Sequence, residues 1–141
     1  MSTDQNQAAF RRVIAEAFNK GNYTVLNDHF NPDFKEHQFG LHPTIEGMQN
    51  DIQFLRTALP DLTLTIEDMV GDGDKLWVRM TARGTNRGGF MGPPNGKSFE
   101  ITVFDLCRFK EGKIVEHWGS PDRFALMAQL GLLPHQQDKK A

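Results

Sequence analysis

The sequence has 141 residues, with 16 lysines and arginines against 18 aspartates and glutamates. This length fits one domain, which we expect to span residues 1–141 with a core over residues 8–134, and the lack of a basic run excludes the electrostatic footprint of a nucleic-acid binder. A single cysteine, Cys107, excludes an internal disulfide, while the polar N-terminus and the lack of a long apolar run predict a soluble, cytoplasmic protein with no membrane partner.

The first half of the sequence predicts three helices and one short strand. Apolar residues at helical spacing after Phe10 predict a first helix that ends near Gly21, and a shorter pattern over residues 25–30 predicts a second helix. The strand is predicted over residues 34–39. An apolar residue at every third or fourth position of residues 45–59 predicts a third helix, which the following proline ends.

The second half alternates between apolar and polar residues, which is the pattern of β-strands. The predicted strands cover residues 62–67, 76–83, 99–109 and 114–118. A glycine- and proline-rich loop covers residues 84–96, and a last helix is predicted over residues 124–130. Helices followed by antiparallel hairpins predict an α+β fold, in which N-terminal helices pack on a curved antiparallel sheet and enclose a conical pocket.

Asp105 is the first candidate site residue, because the other odd-numbered positions of its predicted strand are apolar. An unpaired buried carboxylate is costly, so such a group is usually paired or works in a pocket. The sequence leaves two interpretations open. Asp105 forms an ion pair with Arg79, Arg83 or Arg108 across the sheet, or it takes part in chemistry inside the pocket.

The last predicted strand and the residues after it carry further candidates. His117 lies near the end of the segment GKIVEHW, and Asp122 directly precedes the last predicted helix. Asp122 fits a helix N-cap as well as a general acid/base, and His117 and His37 fit structural groups as well as proton-transfer groups. Together with Asp105, these side chains would supply donors and acceptors for proton transfer where they converge.

No cofactor or metal site is expected. Residues 92–98 end like a phosphate-binding loop, but they lack its first glycine and precede a strand instead of a helix. His37 and His42 lack the further ligands and the spacing of a metal site, and Cys107 lacks the signature of a covalent nucleophile. We therefore expect chemistry that needs neither a metal nor an organic cofactor.

Short blocks spaced along the chain carry a family resemblance. They are Gly47, LPDL (59–62), GDKLWVR (73–79), RGT (83–85), GPPNGK (92–97), GKIVEHW (112–118) and QLGL (129–132). In this order, they make the sequence resemble the SnoaL-like polyketide cyclases from about Phe10 to Pro134. The resemblance implies the NTF2-like α+β cone. It also implies closure of a ring in a polyketide ester by intramolecular aldol condensation, without metal or cofactor.

The resemblance also implies roles for the candidate residues. Asp122 would be the acid/base group that removes a proton next to a carbonyl and returns one to the new alkoxide, with Asp105, His117 and His37 as polar pocket groups. The residues expected to contact a small hydrophobic polyketide-like or aromatic substrate are His37, Phe39, Arg79, Met91, Phe99 and Trp118. The chain departs from the family at Gly119, because an acidic or larger residue often follows the tryptophan.

Other functions of the same fold stay open at this point. Epoxide hydrolysis would use Asp105, Asp122 and Arg79 around a water and an epoxide oxygen, and an isomerase of the same fold is a further alternative. In a protein that only binds a small ligand, Asp122 would be a helix cap and nothing more.

A homodimer is also expected. Phe104 and Leu106 give the strand of Asp105 a second apolar side, and a sheet that is apolar on both faces must be covered on both. We therefore expect two copies to pair through the outer face of the sheet. Residues 139–141 are expected to form a solvated tail.

Overall fold

The computed structural model describes residues 3–134, so the tail predicted at residues 139–141 lies outside the described residues. The helices are α1 (Thr3–Arg12), α2 (Leu26–His29), α3 (Ile45–Ala58) and α4 (Arg123–Gln129). A π-helical segment, Val13–Phe18, continues α1, and a 3-10 turn, Tyr23–Val25, precedes α2. The strands are β1 (Phe30–Glu36), β2 (Thr63–Asp72), β3 (Lys75–Thr85), β4 (Ser98–Lys110) and β5 (Lys113–Pro121).

The strands form one open, five-stranded sheet in the order β1-β5-β4-β3-β2. The strands β2 to β5 are antiparallel neighbours, as predicted, whereas β1 runs parallel to β5, so the sheet is mixed. The edge position of β1 explains why it tolerates Pro32, since one side of an edge strand makes no ladder hydrogen bonds. The predicted α+β class is confirmed.

The alternation along β4 separates the core from the solvent. Phe99, Ile101, Val103 and Cys107 are buried in the hydrophobic core, while the even-numbered Phe104 is half-exposed on the other face. The sheet packs against α1 and α4 on its inner face, while Trp77 and Phe104 on the outer face are 55% and 56% exposed. One covered face and one solvated face are typical of antiparallel sheets.

The helix α3 begins and ends close to the predicted positions. The Gly47 N–H donates to Thr44 Oγ1 at 2.9 Å and so caps the first turn, while Pro60 follows the last turn. Met48 and Ile52 lie on its buried stripe. Within residues 3–134, no helix is both long and apolar enough to cross a lipid bilayer.

Two element boundaries differ from the prediction in ways that affect the site. The second helix ends at His29, and the following strand begins at Phe30, four residues before the predicted start. β5 extends to Pro121, so Gly119 lies inside the strand instead of in a connection. In the β4–β5 ladder Gly119 pairs with Asp105.

Candidate active site

A cavity of about 290 Å³ lies between the helices and the inner face of the sheet. Its wall is mainly apolar and rich in aromatic rings. Phenylalanines that line it include Phe10, Phe18, Phe30, Phe54, Phe90 and Phe99. This volume is near the lower end of the roughly 300–1,000 Å³ typical of small-molecule sites, so the cavity suits a small hydrophobic ligand.

Three ionisable side chains from neighbouring strands meet at the cavity wall. His117 of β5 stands between Glu36 of β1 and Asp105 of β4. Its Nδ1 lies 2.6 Å from Glu36 Oε2, and its Nε2 lies 3.2 Å from Asp105 Oδ2. The side chains of Glu36, His117 and Asp105 are only 1%, 9% and 10% exposed. His117 and Asp105 line the cavity.

The sheet register brings these three side chains to one face. Glu36 is the ladder partner of His117 in the parallel β1–β5 pair. On the other side, His117 is paired with Cys107, which places Asp105 two residues away along β4 on the same inner face. A diagonal neighbour of this kind is within reach of a long or aromatic side chain.

The electrostatics of the cluster make His117 a cation. Burial alone would lower the pKa of His117, because it removes the imidazolium from water. The hydrogen bonds and negative charges of Asp105 and Glu36 outweigh burial and raise this pKa to about 10. At neutral pH both ring nitrogens of His117 therefore carry protons, and His117 holds the two carboxylates instead of accepting a proton.

Each carboxylate of the cluster keeps one buried oxygen without a hydrogen-bond partner among the described residues, Glu36 Oε1 and Asp105 Oδ1, and of these two residues Asp105 lines the cavity. Its Oδ2 faces His117, whereas its Oδ1 is buried without a hydrogen-bond partner in the described part of the chain. A carboxylate at the wall of an apolar cavity, with one oxygen fixed by a cation and the other without a partner, can take a proton from a bound ligand. The neighbouring Cys107 is fully buried, and burial together with the charges of Asp105 and Glu36 raises the pKa of its thiol well above the usual value, so it stays protonated.

No metal centre emerges from this cluster. Among residues 3–134, no group of three or more histidines, cysteines, aspartates or glutamates is arranged to hold a metal ion. In the cluster described above, both ring nitrogens of His117 already face carboxylates, so they offer no lone pair to a metal.

The structure places four of the sequence candidates at the cavity: Asp105, His117, Phe39 and Phe99. Phe39 lies at its mouth with 84% of its surface exposed. The guanidinium of Arg123 lies 5.6 Å from the centre of the Phe39 ring and donates to the Phe39 carbonyl oxygen. Phe39 and Arg123 therefore form one bridged wall of the entrance.

Asp122 lies at the N-cap of the last helix, which is one of the two interpretations that the sequence left open. It is exposed, and its Oδ1 accepts from the Ala125 N–H at 3.0 Å, so it caps α4. It is not among the residues that line the cavity. Its role as the acid/base group stays a prediction, and its position favours the helix-cap interpretation.

The remaining candidates lie outside the cavity. His37 stacks on Trp118 with 4.6 Å between ring centres, and its Nε2 lies 2.7 Å from Glu116 Oε2. The hydrogen bonds from His37 and Arg108 lower the pKa of the Glu116 carboxyl. This group lies on the outer face of the sheet, because residues 116 and 118 alternate with the inward-facing His117.

Arg79 and Met91 are also away from the cavity wall. Arg79 lies on the outer face of β3, beside the half-exposed Phe104, and Met91 is exposed in the loop after β3. Arg79 and Asp105 therefore lie on opposite faces of the sheet. The three residues that an epoxide hydrolase would need, Asp105, Asp122 and Arg79, do not come together.

The arginine ion pair considered for Asp105 is wrong. Arg83 pairs with Glu100, and Arg108 pairs with Glu116, both on the outer face. The partner of Asp105 is the inward-facing His117.

Sequence reasoning missed Glu36 and Gln38. Both are direct neighbours of His37 in the sequence, and of these three residues only His37 was a candidate. A signal was present, because Phe34, Glu36 and Gln38 share one parity, and a buried Phe34 predicts that the other two also face inward. The Gln38 N–H donates to Glu36 Oε2 at 3.0 Å, and its side chain lines the cavity.

Comparison with protein families gives one match over most of the chain. A family model described as SnoaL-like polyketide cyclase matches residues 8–130. No curated protein sequence matches the chain.

Solved structures from Streptomyces are similar to this chain. TsrD from Streptomyces laurentii is 30% identical with a TM-score of 0.86, and the alignment covers 94% of this chain and 99% of TsrD. IdmH from Streptomyces antibioticus, provisionally described as a polyketide cyclase, is 37% identical with a TM-score of 0.80 over 90% of this chain and 99% of IdmH. AclR from Streptomyces galilaeus, provisionally described as a hydroxylase, is 28% identical with a TM-score of 0.82, and the alignment covers 94% of this chain and 89% of AclR.

Proposed function

Because the chain belongs to the SnoaL-like polyketide cyclase family, with its NTF2-like fold, we propose that it closes a ring by intramolecular aldol condensation without metal or cofactor. The substrate would be a small, largely apolar polyketide-like or aromatic ketone or ester. The observation that carries the proposal is the free Oδ1 of Asp105, buried beside a cationic histidine in an apolar cavity.

The proposed reaction moves one proton out and back. Asp105 Oδ1 takes a proton from the carbon next to a carbonyl, and the C–H electron pair moves into the enolate. The enolate carbon attacks a second carbonyl carbon of the same molecule, which forms the C–C bond and leaves an alkoxide. The alkoxide then takes the proton from Asp105, so the carboxylate is regenerated and the mass of the product equals that of the substrate.

The protein supports this chemistry by position and by exclusion of water. Both reacting carbons belong to one molecule, so holding them close removes most of the entropy cost of the bond-forming step. The aromatic wall folds an apolar chain and keeps solvent away from the enolate. His117 fixes the orientation of Asp105 through Oδ2, and Glu36 fixes His117 from the other side.

The test combines turnover with two aspartate variants. Purified protein is incubated with a panel of diketo esters, lactones and epoxides, and products are compared by mass and chromatographic retention against heat-inactivated protein. A product of unchanged mass with altered retention that forms with wild type and Asp122→Asn, but not with Asp105→Asn, supports the proposal. A gain of one water would point to hydrolysis instead.

The second candidate function is binding of a small ligand without turnover, and the apolar character of the cavity favours it. In that case fluorescence titration with naphthalene would show binding, while no member of the panel would change. Asp105→Asn would then bind naphthalene as wild type does and would differ from wild type in stability alone.

The oligomeric state is a separate part of the proposal. Val70, Trp77 and Phe104 are 59%, 55% and 56% exposed on the outer face, and Val70 pairs with Trp77 in the ladder. An apolar patch of adjacent aromatic residues is typical of a contact surface. Two copies of the chain would therefore pair through this face.

A further inference from the structure

Gly119 leaves a space on the inner face of β5, and other groups fill it. The backbone of Gly119 is not in the left-handed conformation that favours glycine. We therefore attribute the glycine to the space that a side chain would occupy. A Cβ at this position would clash with Gln38 Oε1, and it would stand 2.8 Å from Gln38 Cδ and 2.9 Å from Asp105 Oδ1. The Gln38 amide and the free oxygen of Asp105 therefore meet at the point that Gly119 leaves vacant.

Gln38 is held at this point by the same carboxylate that holds His117. Glu36 Oε2 accepts from His117 Nδ1 at 2.6 Å and from the Gln38 backbone N–H at 3.0 Å. The side-chain amide of Gln38 lines the cavity and makes no hydrogen bond of its own within residues 3–134. A polar amide on a mainly apolar wall, fixed at its backbone and free at its tip, is available to a ligand.

The proposed reaction needs a hydrogen-bond donor where the enolate oxygen forms, because negative charge moves from Asp105 to that oxygen. His117 does not supply it, since both of its ring nitrogens face carboxylates. Gln38 Oε1 borders the same point beside Gly119 as Asp105 Oδ1, and Nε2 of the same amide is a donor that makes no hydrogen bond within residues 3–134.

We infer that Gln38 binds the carbonyl oxygen of the substrate, next to the carbon that Asp105 deprotonates, and that Gly119 supplies the space for this arrangement. The inference rests on the proposed function and adds to it the residue that binds the substrate carbonyl. The substrate is an enolisable ketone or ester whose acidic carbon reaches Asp105 Oδ1 while its carbonyl oxygen accepts from Gln38 Nε2. As the proton leaves, the Gln38 hydrogen bond becomes one to an anion and strengthens.

Binding of an enol mimic tests Gln38 without turnover. The probes are 2-naphthol, whose hydroxyl stands for the enol, and naphthalene, which has the same ring system without oxygen, both titrated by fluorescence. Gln38→Met keeps the length of the side chain and removes its donor. We expect this variant to bind 2-naphthol about tenfold more weakly than wild type, with unchanged affinity for naphthalene. Gln53→Met, on the exposed surface of α3, is the matched control.

A second variant tests the space. Gly119→Ala places a methyl group against the Gln38 amide, so we expect it to weaken 2-naphthol binding in the same way. The thermal unfolding midpoint of this variant is the control for folding. Equal affinities of wild type and Gln38→Met for 2-naphthol, or no binding of 2-naphthol to wild type, would overturn the inference.

Proton exchange separates this inference from the proposed function. Deuterium uptake at C1 of 2-tetralone in D2O, followed by NMR, measures deprotonation without ring closure. Wild type is expected to accelerate uptake in a manner that Asp105→Asn abolishes, and Gln38→Met is expected to lower the rate by roughly 10- to 100-fold. Absence of Asp105-dependent uptake counts against the proposed function, whereas the naphthol comparison judges Gln38 in either case.

Discussion

His117 Nε2 lies 3.2 Å from Asp105 Oδ2, and the two side chains approach each other diagonally across neighbouring strands. This contact orients the carboxylate at the cavity wall, because one oxygen faces a buried cation and the other lies unpartnered beside Gly119 and Gln38. It also keeps His117 protonated at neutral pH, where a histidine with the ordinary pKa of 6.5 is mostly neutral. The stability of the protein should therefore respond to alkali through this residue.

Raising the pH from 6.5 to 10 is expected to lower the free energy of unfolding. The folded protein keeps the His117 proton up to a pKa of about 10, whereas the unfolded chain releases it near the ordinary value of 6.5. The stabilising contribution of His117 is thus fully present below pH 6.5 and is lost as the pH rises through 10. Urea unfolding followed by tryptophan fluorescence measures it. A His117→Gln variant should lack this slope, and a flat profile for wild type would contradict the assignment.

Replacing His117 by glutamine is expected to destabilise the protein by about 3–5 kcal/mol, because it leaves Asp105 and Glu36 buried without a counter-charge. The matched control is His37→Gln on the outer face, where the side chain is 39% exposed, and its effect should stay below about 1 kcal/mol. Equal effects of the two variants in urea unfolding would argue against a buried ion cluster.

Asp105→Asn is expected to lower turnover of a verified substrate by about 10²- to 10⁴-fold, since asparagine cannot accept the proton. Asp122→Asn should leave turnover and stability nearly unchanged, because asparagine caps a helix as well as aspartate does. Steady-state rates of the two variants decide between the carboxylates. Loss of turnover in Asp122→Asn alone would instead assign the acid/base role to Asp122.

Phe104→Glu is expected to turn a dimer into a monomer, because it places a charge in the apolar patch on the outer face of the sheet. Light scattering at micromolar concentration measures the mass of wild type and variant. Phe124→Glu is the matched control, since Phe124 is 74% exposed at α4, away from this face. A monomeric mass for wild type would contradict pairing through this surface.

Much of the fold follows from local pattern. The helical stripe of α3 and the period-two alternation of β3 and β4 are strong local signals, and they predicted these elements with small errors at the ends. The parallel pairing of β1 with β5 joins segments about 80 residues apart. No local pattern encodes such a pairing, so a sequence alone predicts that β1 is a strand but not its partner.

The site was predicted unevenly for a similar reason. Asp105 was identifiable because every other residue on its side of β4 is apolar. In β5, apolar or aromatic residues lie on both faces, so parity could not show that His117 points inward while Trp118 points outward. Glu36 became visible as a site residue only when the register placed it beside His117.

The cap of α4 has an effect at the entrance of the cavity. Asp122 fixes the first turn of α4, and the next residue, Arg123, bridges to Phe39 at the mouth. A substitution that removes the cap, such as Asp122→Ala, would fray this turn and release the bridge. Substrate would then enter or leave the cavity at a different rate. A residue remote from the reacting carbons would therefore lower the measured turnover without taking part in the proton transfer.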